Sequence, residues 1–412
     1  MGQISLVLQI IGKGDEKYIS DDLLPDYISF LKDKNGKVQQ VGAMGLYRAR
    51  TPEATKALFE YLKTKDLRKL DKNIEEGKVD FDQAAGEVYA SIAAISALGV
   101  SGDKSAIPLL KSLQGIQSLK LEMGGYPVEE ALVRLGAIDS LINIPPNADK
   151  EKIERASYAI RKIRDPNKVP ELIAAINNNN CDQAIRSSAI EALGKINTVG
   201  SIEFLLAAIN DSNIPVNMHR TALLASAQTN NEIFEETFLT IANSDSEIRA
   251  EAWHGLAILL PDKYMKKRID KIRDEKESDE FRMRLTSTWY YVKPKTLESC
   301  KDDLYACLNT NKKDGSPYDK IRIRMWCLIY DLFGEMPTLV LSHKCNPQNL
   351  KSQLMGLSGI KSRIQEHLRK KWLREPGNKP WNAPVNSVFK KMADDKFNSL
   401  VTFLPTESEV EK

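Results

Sequence analysis

Histidine, tryptophan and cysteine are scarce, with 4, 5 and 5 of them in 412 residues. The four histidines, His219, His254, His343 and His367, stand in no serine or cysteine nucleophile motif. No phosphate-cradling G-x-x-x-x-G-K-[ST] run occurs, and no G-x-G-x-x-G turn follows a strand pattern. No cofactor is therefore expected, and no residue is singled out as catalytic. Five cysteines, odd in number and widely spread, do not make a disulfide framework. Continuous apolar runs of the roughly 18–20 residues that a membrane span needs are also missing. The net charge of +3 creates no general demand for a nucleic-acid partner. The N-terminus, MGQISLVLQIIGKGDEKY, lacks a basic n-region and a small-residue cleavage site, and Leu6 breaks the myristoylation pattern. Together with the thin cysteine usage, this sets a cytoplasmic expectation.

What is present is ordinary for a folded chain: 42% hydrophobic and 28% charged residues. Its organisation is not ordinary, because the chain repeats itself. DQAIRSSAIEALGKI (182–196) followed by VGSIEFLLAAIND (199–211) has an earlier copy in KIERASYAIRKI and PNKVPELIAAINN. A later copy is SEIRAEAWHGLAIL. Further copies are KVQQVGAMGLYRA, GEVYASIAAISALG, DEFRMRLTSTWYYV and KIRIRMWCLIYDLFG. The position of Leu193 recurs at Ile11, Leu46, Leu98, Leu135, Ile160, Ser226, Leu256, Trp289 and Ile329. Each unit has small or apolar residues at i, i+3, i+4 and i+7, then a Gly-, Asn- or Pro-bearing turn, then a second apolar stretch. Two helices per unit at a mid-thirties period define an α-solenoid. Ala189, Ala192, Ala252 and Gly255 are expected to let neighbouring helices approach closely.

These first helices carry an acid, an apolar-Arg pair, then Ala and Ala-Leu-Gly. They resemble HEAT repeats of the short bacterial kind called HEAT-like or bilin-lyase-type. The resemblance is strong over 150–260, fair over 35–110 and 280–330, and poor over 110–145 and beyond 335. It implies an all-α, right-handed superhelix of about ten hairpins with no sheet. Tetratricopeptide repeats share the period, but their aromatic and proline pattern is absent.

The expected layout follows the departures from the period. Residues 1–110 form N-terminal units with a charged insertion, 65–83, expected as a solvated extension or loop. Residues 111–149, with Gly124, Gly125 and Pro127, form an irregular unit and a bend. Residues 150–335 are regular units. Residues 336–374 supply capping helices, and 375–412 a proline-rich tail with a short helix near its end.

Four arginines, Arg186, Arg249, Arg282 and Arg322, share one position in aligned units. They are expected to pair with acids such as Asp182 or Glu247 and so tether the stack, in preference to gripping an acidic partner. A metal centre from Cys300, Cys307, Cys327, His343 and Cys345 is disfavoured, because no C-x-x-C pair exists; buried thiols explain them better, and no metal is expected.

Charge is uneven. Residues 1–250 hold 29 basic against 34 acidic side chains, and residues 251–412 hold 30 against 22. The excess centres on GIKSRIQEHLRKKWLREPGNKPW, where Ile360, Ile364, Leu368 and Trp372 make one helical stripe. Arg363, Lys370, Lys371, Trp372, Arg374 and Trp381 are the candidate partner-binding residues of this segment; the competing reading is a helix that caps the last repeat.

These observations favour a non-catalytic scaffold holding a protein or peptide on a concave surface lined by second helices. The alternative is a nucleic-acid-binding solenoid that uses the basic half, for which the resemblance supplies a precedent in HEAT-like DNA glycosylases that clasp bases with tryptophan. Trp253, Trp289 and Trp326 are the residues considered for that role, although their positions differ within the units. A bilin-lyase-like enzyme is a weaker third reading, with no residue set marking a pigment pocket.

Overall fold

The same few side-chain devices begin and end the helices along the chain. Five first helices open behind a side-chain N-cap: Asn35, Asp80, Asp149, Asp182 and Ser278 each accept a hydrogen bond from an amide of the first turn. Second helices open behind Thr51, Asp103, Asp165, Thr198 and Asn231 in the same way. Each cap satisfies amides that a helix start leaves without partners, and is typically worth ~1 kcal/mol. Between the two, the chain turns through a left-handed residue at Arg50, Gly102, Gly136, Asn197, Asn230 and Gly334. A left-handed residue there ends the first helix and reverses the chain.

The computed structural model describes residues 23–121, 125–211, 213–287, 294–312, 318–341, 360, 362–364, 366–367 and 394–403. It divides into two compact units, Met1–Ala225 and Ser226–Lys412, and the division falls inside the helix Val216–Gln228, within the segment expected as one regular run. In a repeat array each element touches only its neighbours, so such a division need not follow a change in sequence pattern.

In the first unit the hairpins are Gly36–Ala49 with Pro52–Lys63, Phe81–Ser101 with Ile107–Leu113, Pro127–Arg134 with Asp139–Ile142, Lys150–Ile160 with Val169–Asn177, and Gln183–Ile196 with Val199–Asn210. Successive first helices pack on one another, and the second helices Pro52–Lys63, Ile107–Leu113, Asp139–Ile142 and Val169–Asn177 each pack against the first helix that follows. The recurring anchor is the core of this arrangement: Leu46, Leu98, Leu135, Ile160 and Leu193 are all buried. Full burial of such a side chain stabilises by roughly 1.5–3 kcal/mol. Gly36 and Gly86 make the closest approach, since a Cβ on either would strike the backbone of the other helix.

The charged insertion differs from expectation. It contains the helix Leu67–Glu75, with Leu67 buried. Arg68 donates to the carbonyls of Ser112 and Gln114, and Asp71 accepts from the amides of Gln117 and Ser118. Dense charge here is a polar face over an apolar edge, not a loop. The irregular stretch yields the short helices Pro127–Arg134 and Asp139–Ile142. By length and composition the stretch Asp82–Ser101 is apolar enough to cross a membrane, although Asp82 and Glu87 keep it from being a continuous apolar run. That window is 67% buried, as a core helix requires.

The second unit continues the pattern with Arg249–Leu259 and Pro261–Arg273, then Asp279–Leu285 followed by Pro294–Ser299 and Lys301–Ala306, then Asp319–Phe333. Ser226, Leu256 and Ile329 are buried anchors, while Ile11 and Trp289 lie outside the described residues. Gly255 admits the Phe238 ring where a Cβ would clash.

Contrary to the expectation of no sheet, strand β1 (Leu339–Leu341) pairs in parallel with β2 (Val401–Phe403), matching Leu339 to Val401 and Leu341 to Phe403. Three-residue strands are too short to show a period in sequence. Residues 394–400 are helical, and Phe397, Leu400 and Val401 are buried. This end of the expected tail is therefore packed. Among the described residues, each unit is a helical solenoid apart from this strand pair and an isolated bridge at Asn311.

Candidate functional site

The four aligned arginines share one contact. Arg186 donates from Nε to the carbonyl of Ile176 at 2.7 Å, Arg249 to Ala242 at 3.2 Å, Arg282 to Ile272 at 2.8 Å and Arg322 to Thr310 at 2.9 Å. Each acceptor lies at or just beyond the end of the preceding second helix, where carbonyls lack helical partners and the dipole favours a cation. The expected partners were acids, and the structure puts a carbonyl first. Carboxylates join at two positions: Arg249 reaches Glu277 at 2.7 Å, and Arg282 reaches Asp279 at 3.4 Å. Arg322 also donates to the Val340 carbonyl at 2.7 Å, which fixes β1. The apolar residue before each arginine, Ile185, Ile248, Phe281 or Ile321, is buried. The apolar-Arg pair is thus one side chain in the core and one at the previous helix end.

Across the second helices of the second unit runs a lattice of opposite charges. Glu235 takes Lys263 at 2.5 Å and also the Tyr264 hydroxyl, Lys266 takes Asp303 at 2.7 Å, and Lys301 takes Glu335 at 2.6 Å. Hydrogen bonds from Lys263 and Tyr264 hold the Glu235 carboxyl below its ordinary pKa. Lys301 and Tyr305 do the same for Glu335. Between first helices, Arg284 binds both oxygens of Glu251 at 2.6 and 2.7 Å; Lys271, at the end of a second helix, joins Arg249 on Glu277 in the turn that follows, at 2.7 Å.

One buried cation escaped the sequence reading. Arg268 is wholly buried and donates to the carbonyls of Leu285 and Ser287 at 2.9 and 2.6 Å. Burial pulls its pKa down to about 9. The signal was available: Arg268 lies in the stripe Tyr264, Met265, Ile269 and Ile272, where a charge is out of place. His254 is buried as well, and burial, then the neighbouring Arg268, hold its pKa well below the ordinary value.

Of the C-terminal candidates, Arg363 makes two hydrogen bonds to the Asp331 carboxylate at 2.8 and 2.7 Å. Ile360 and Ile364 are fully buried. Lys370, Lys371, Trp372, Arg374, Trp381 and Leu368 lie outside the described residues, as do His343 and Cys345. Cys181, Cys300, Cys307 and Cys327 are free thiols, and burial pushes Cys307 up to about 12. Among the described residues, no group of three or more His, Cys, Asp or Glu side chains could hold a metal ion. Trp253 and Trp326 are buried, with indole N–H groups donating to the carbonyls of Ala242 and Pro337. Trp289 lies outside the described residues.

Two-helix units with capped starts, small residues at close approaches and an arginine on the preceding helix end agree with the match of residues 138–225 to the family model for HEAT repeats. These residues are HEAT repeats. No curated protein matches the chain. Within the HEAT segment, Arg186 and the N-cap Asp182 mark the start of one first helix, and Asn197 its left-handed end. Repeats of this family serve as scaffolds that commonly mediate protein interactions.

Proposed function

We propose that this HEAT-repeat protein is a non-catalytic scaffold that holds a protein or peptide on a concave surface built from its second helices. A pre-formed face of that kind binds without first ordering itself, so less of the contact energy is lost to conformational entropy. The observation that carries the choice is the internal use of the basic residues. Of the cations in the excess-positive half, Lys263, Lys266, Lys271, Arg282, Arg284, Lys301 and Arg363 all hold carboxylates of the protein itself. Nucleic-acid binding draws its affinity from cations free to replace counterions on phosphates. The buried Trp253 and Trp326 also count against a base-clasping enzyme. A reducing, cytoplasmic setting fits the free thiols.

The test compares two measurements on the full chain. Affinity capture with nuclease treatment is expected to retain stoichiometric protein partners. Titration with labelled single-stranded and duplex DNA at low salt is expected to show no saturable binding. Recovery that depends on nucleic acid, or DNA binding with a steep salt dependence, would reverse the order of the two readings.

A further inference from the structure

The irregular stretch of the first unit forms a half-open cavity of about 240 Å³, between the turn at Gln114 and Gly115, the start of the Pro127–Arg134 helix, Ser140, and the Lys150–Ile160 helix. Leu141, Ile144 and Ala156 form its apolar wall. Its polar groups are unevenly matched. Glu129 is only 4% exposed, yet its one ion pair, to Arg155 Nε, spans 3.8 Å, longer than a hydrogen bond. Burial raises the pKa of this carboxyl, and a hydrogen bond from its own backbone amide and the Arg155 charge only partly offset that, so a further cation beside it would favour the ionised form. Arg155 is engaged on two sides only: Nε faces Glu129, and Nη1 donates to Glu151 at 3.2 Å. Its Nη2 faces Gly115, whose φ of +88° and missing side chain leave open the space beside the guanidinium; a Cβ there would lie 3.6 Å from Nη2. Lys152 lines the same cavity, is exposed and makes no ion pair. The buried hydroxyl of Ser140 has no hydrogen-bond partner within the protein.

The cavity thus offers one acceptor carboxylate, Glu129, and two donor groups that hold no carboxylate of the protein, Arg155 Nη2 and the Lys152 ammonium. Glu129 meets Arg155 only through Nε, so Arg155 Nη2 and Lys152 lie away from that ion pair. The volume falls below the roughly 300–1,000 Å³ of sites for drug-sized ligands. We propose that this cavity binds a small dipolar ion, a free α-amino acid, with its ammonium on Glu129 and its carboxylate on Arg155 Nη2 and Lys152, and with Ser140 as a further hydrogen-bond donor. The site is independent of the scaffold reading: it lies within the first unit and involves none of the second-unit charge lattice.

The experiment is a calorimetric and thermal-shift screen of the full chain against the free L-amino acids, each up to about 10 mM, a range that detects millimolar affinity. At least one amino acid is expected to bind saturably and raise the unfolding midpoint. Its N-acetyl derivative, which loses the ammonium, and its amide, which loses the carboxylate, should each bind at least about tenfold more weakly. Lys152→Gln, on an exposed residue, should weaken the free amino acid by about tenfold while leaving the amide unaffected. Glu129→Gln should weaken it too; should that variant not fold, Lys152→Gln and Ser140→Ala carry the test. Absence of binding across the panel overturns the proposal. So does an amide, or a peptide with a free amino terminus, that binds as well as the free amino acid, because the site would then read a chain end. Undiminished binding in Lys152→Gln overturns it equally.

Discussion

Arg282 donates from Nε to the carbonyl of Ile272, 10 residues earlier and at the end of the preceding helix, across 2.8 Å. Its Nη2 donates to the Asn311 carbonyl at 2.6 Å, and its guanidinium lies 5.5 Å from the centre of the Tyr318 ring. One side chain therefore joins three consecutive pieces of the stack while fully buried. Its loss would strand two carbonyls away from water. Arg282→Ala is expected to destabilise the second unit by about 3–5 kcal/mol, the cost of breaking a buried charged network. Arg282→Lys should recover little of this, because an ammonium cannot reproduce the planar fork. Urea denaturation followed by tryptophan fluorescence checks both; a loss under ~1 kcal/mol for Arg282→Ala would remove the tethering role.

Gly194 offers a contrasting test, of space and not charge. A Cβ at this position would come within 2.5 Å of the Ala225 carbonyl oxygen and 2.8 Å of its Cβ. The helix backbone itself would tolerate alanine, and in an open helix Gly→Ala would stabilise by up to about 1 kcal/mol. The clash with backbone wins, so Gly194→Ala is expected to cost about 1–3 kcal/mol. Thermal unfolding by circular dichroism decides: a raised midpoint would show that the helices part without cost.

The hairpins were legible in the sequence because a helix-to-helix stack writes one buried face per helix, and Ile160, Leu193, Ser226 and Leu256 occupy it at steps of 33, 33 and 30 residues. The arginine ladder was visible as a column of residues, yet its partners were not. A backbone carbonyl at a helix end leaves no side-chain signature, so acids such as Asp182 seemed the natural partners. Asp182 instead caps its own helix. The helix Leu67–Glu75 was hidden by its own charge, since Leu67, Leu70 and Ile74 are its only apolar side chains and the rest are polar. The β1–β2 pair was hidden by length. The cavity at Glu129 was illegible for a different reason: its polar groups come from four separated segments, and nothing in their spacing predicts that they converge.

Acid should weaken the second unit through His254. In an unfolded chain this imidazole takes its proton near pH 6.5. In the folded protein, burial and the nearby Arg268 hold the pKa well below that value. Between the two values the unfolded state binds more protons, so stability is complete above about pH 6.5 and falls as the pH drops below it. The slope approaches about 1.4 kcal/mol per pH unit. The carboxylates of Glu235 and Glu335, whose pKa values are lowered, add to the loss only further into acid. Denaturant titrations between about pH 5 and 7 should show the decline in the wild type and a flatter profile in His254→Gln. Equal slopes would mean that another group governs the acid response.

The segment around residue 364 separates a cap from a partner-binding arm. Ile360 and Ile364 are fully buried, while Arg363, between them in sequence, pairs with Asp331 at a partly exposed site. Removing buried methyl groups leaves a cavity, so Ile364→Ala is expected to destabilise the second unit by about 2–5 kcal/mol. Arg363→Gln breaks a half-exposed ion pair and should cost under about 1 kcal/mol. A cap requires that contrast, since its apolar side closes the final repeat and its charges only face water. Partner binding by the same segment would give the opposite ranking in a pull-down: Arg363→Gln would lose the partner while Ile364→Ala, once folded, retained it. Measuring both stability and partner retention for the two variants assigns the segment to one role or the other.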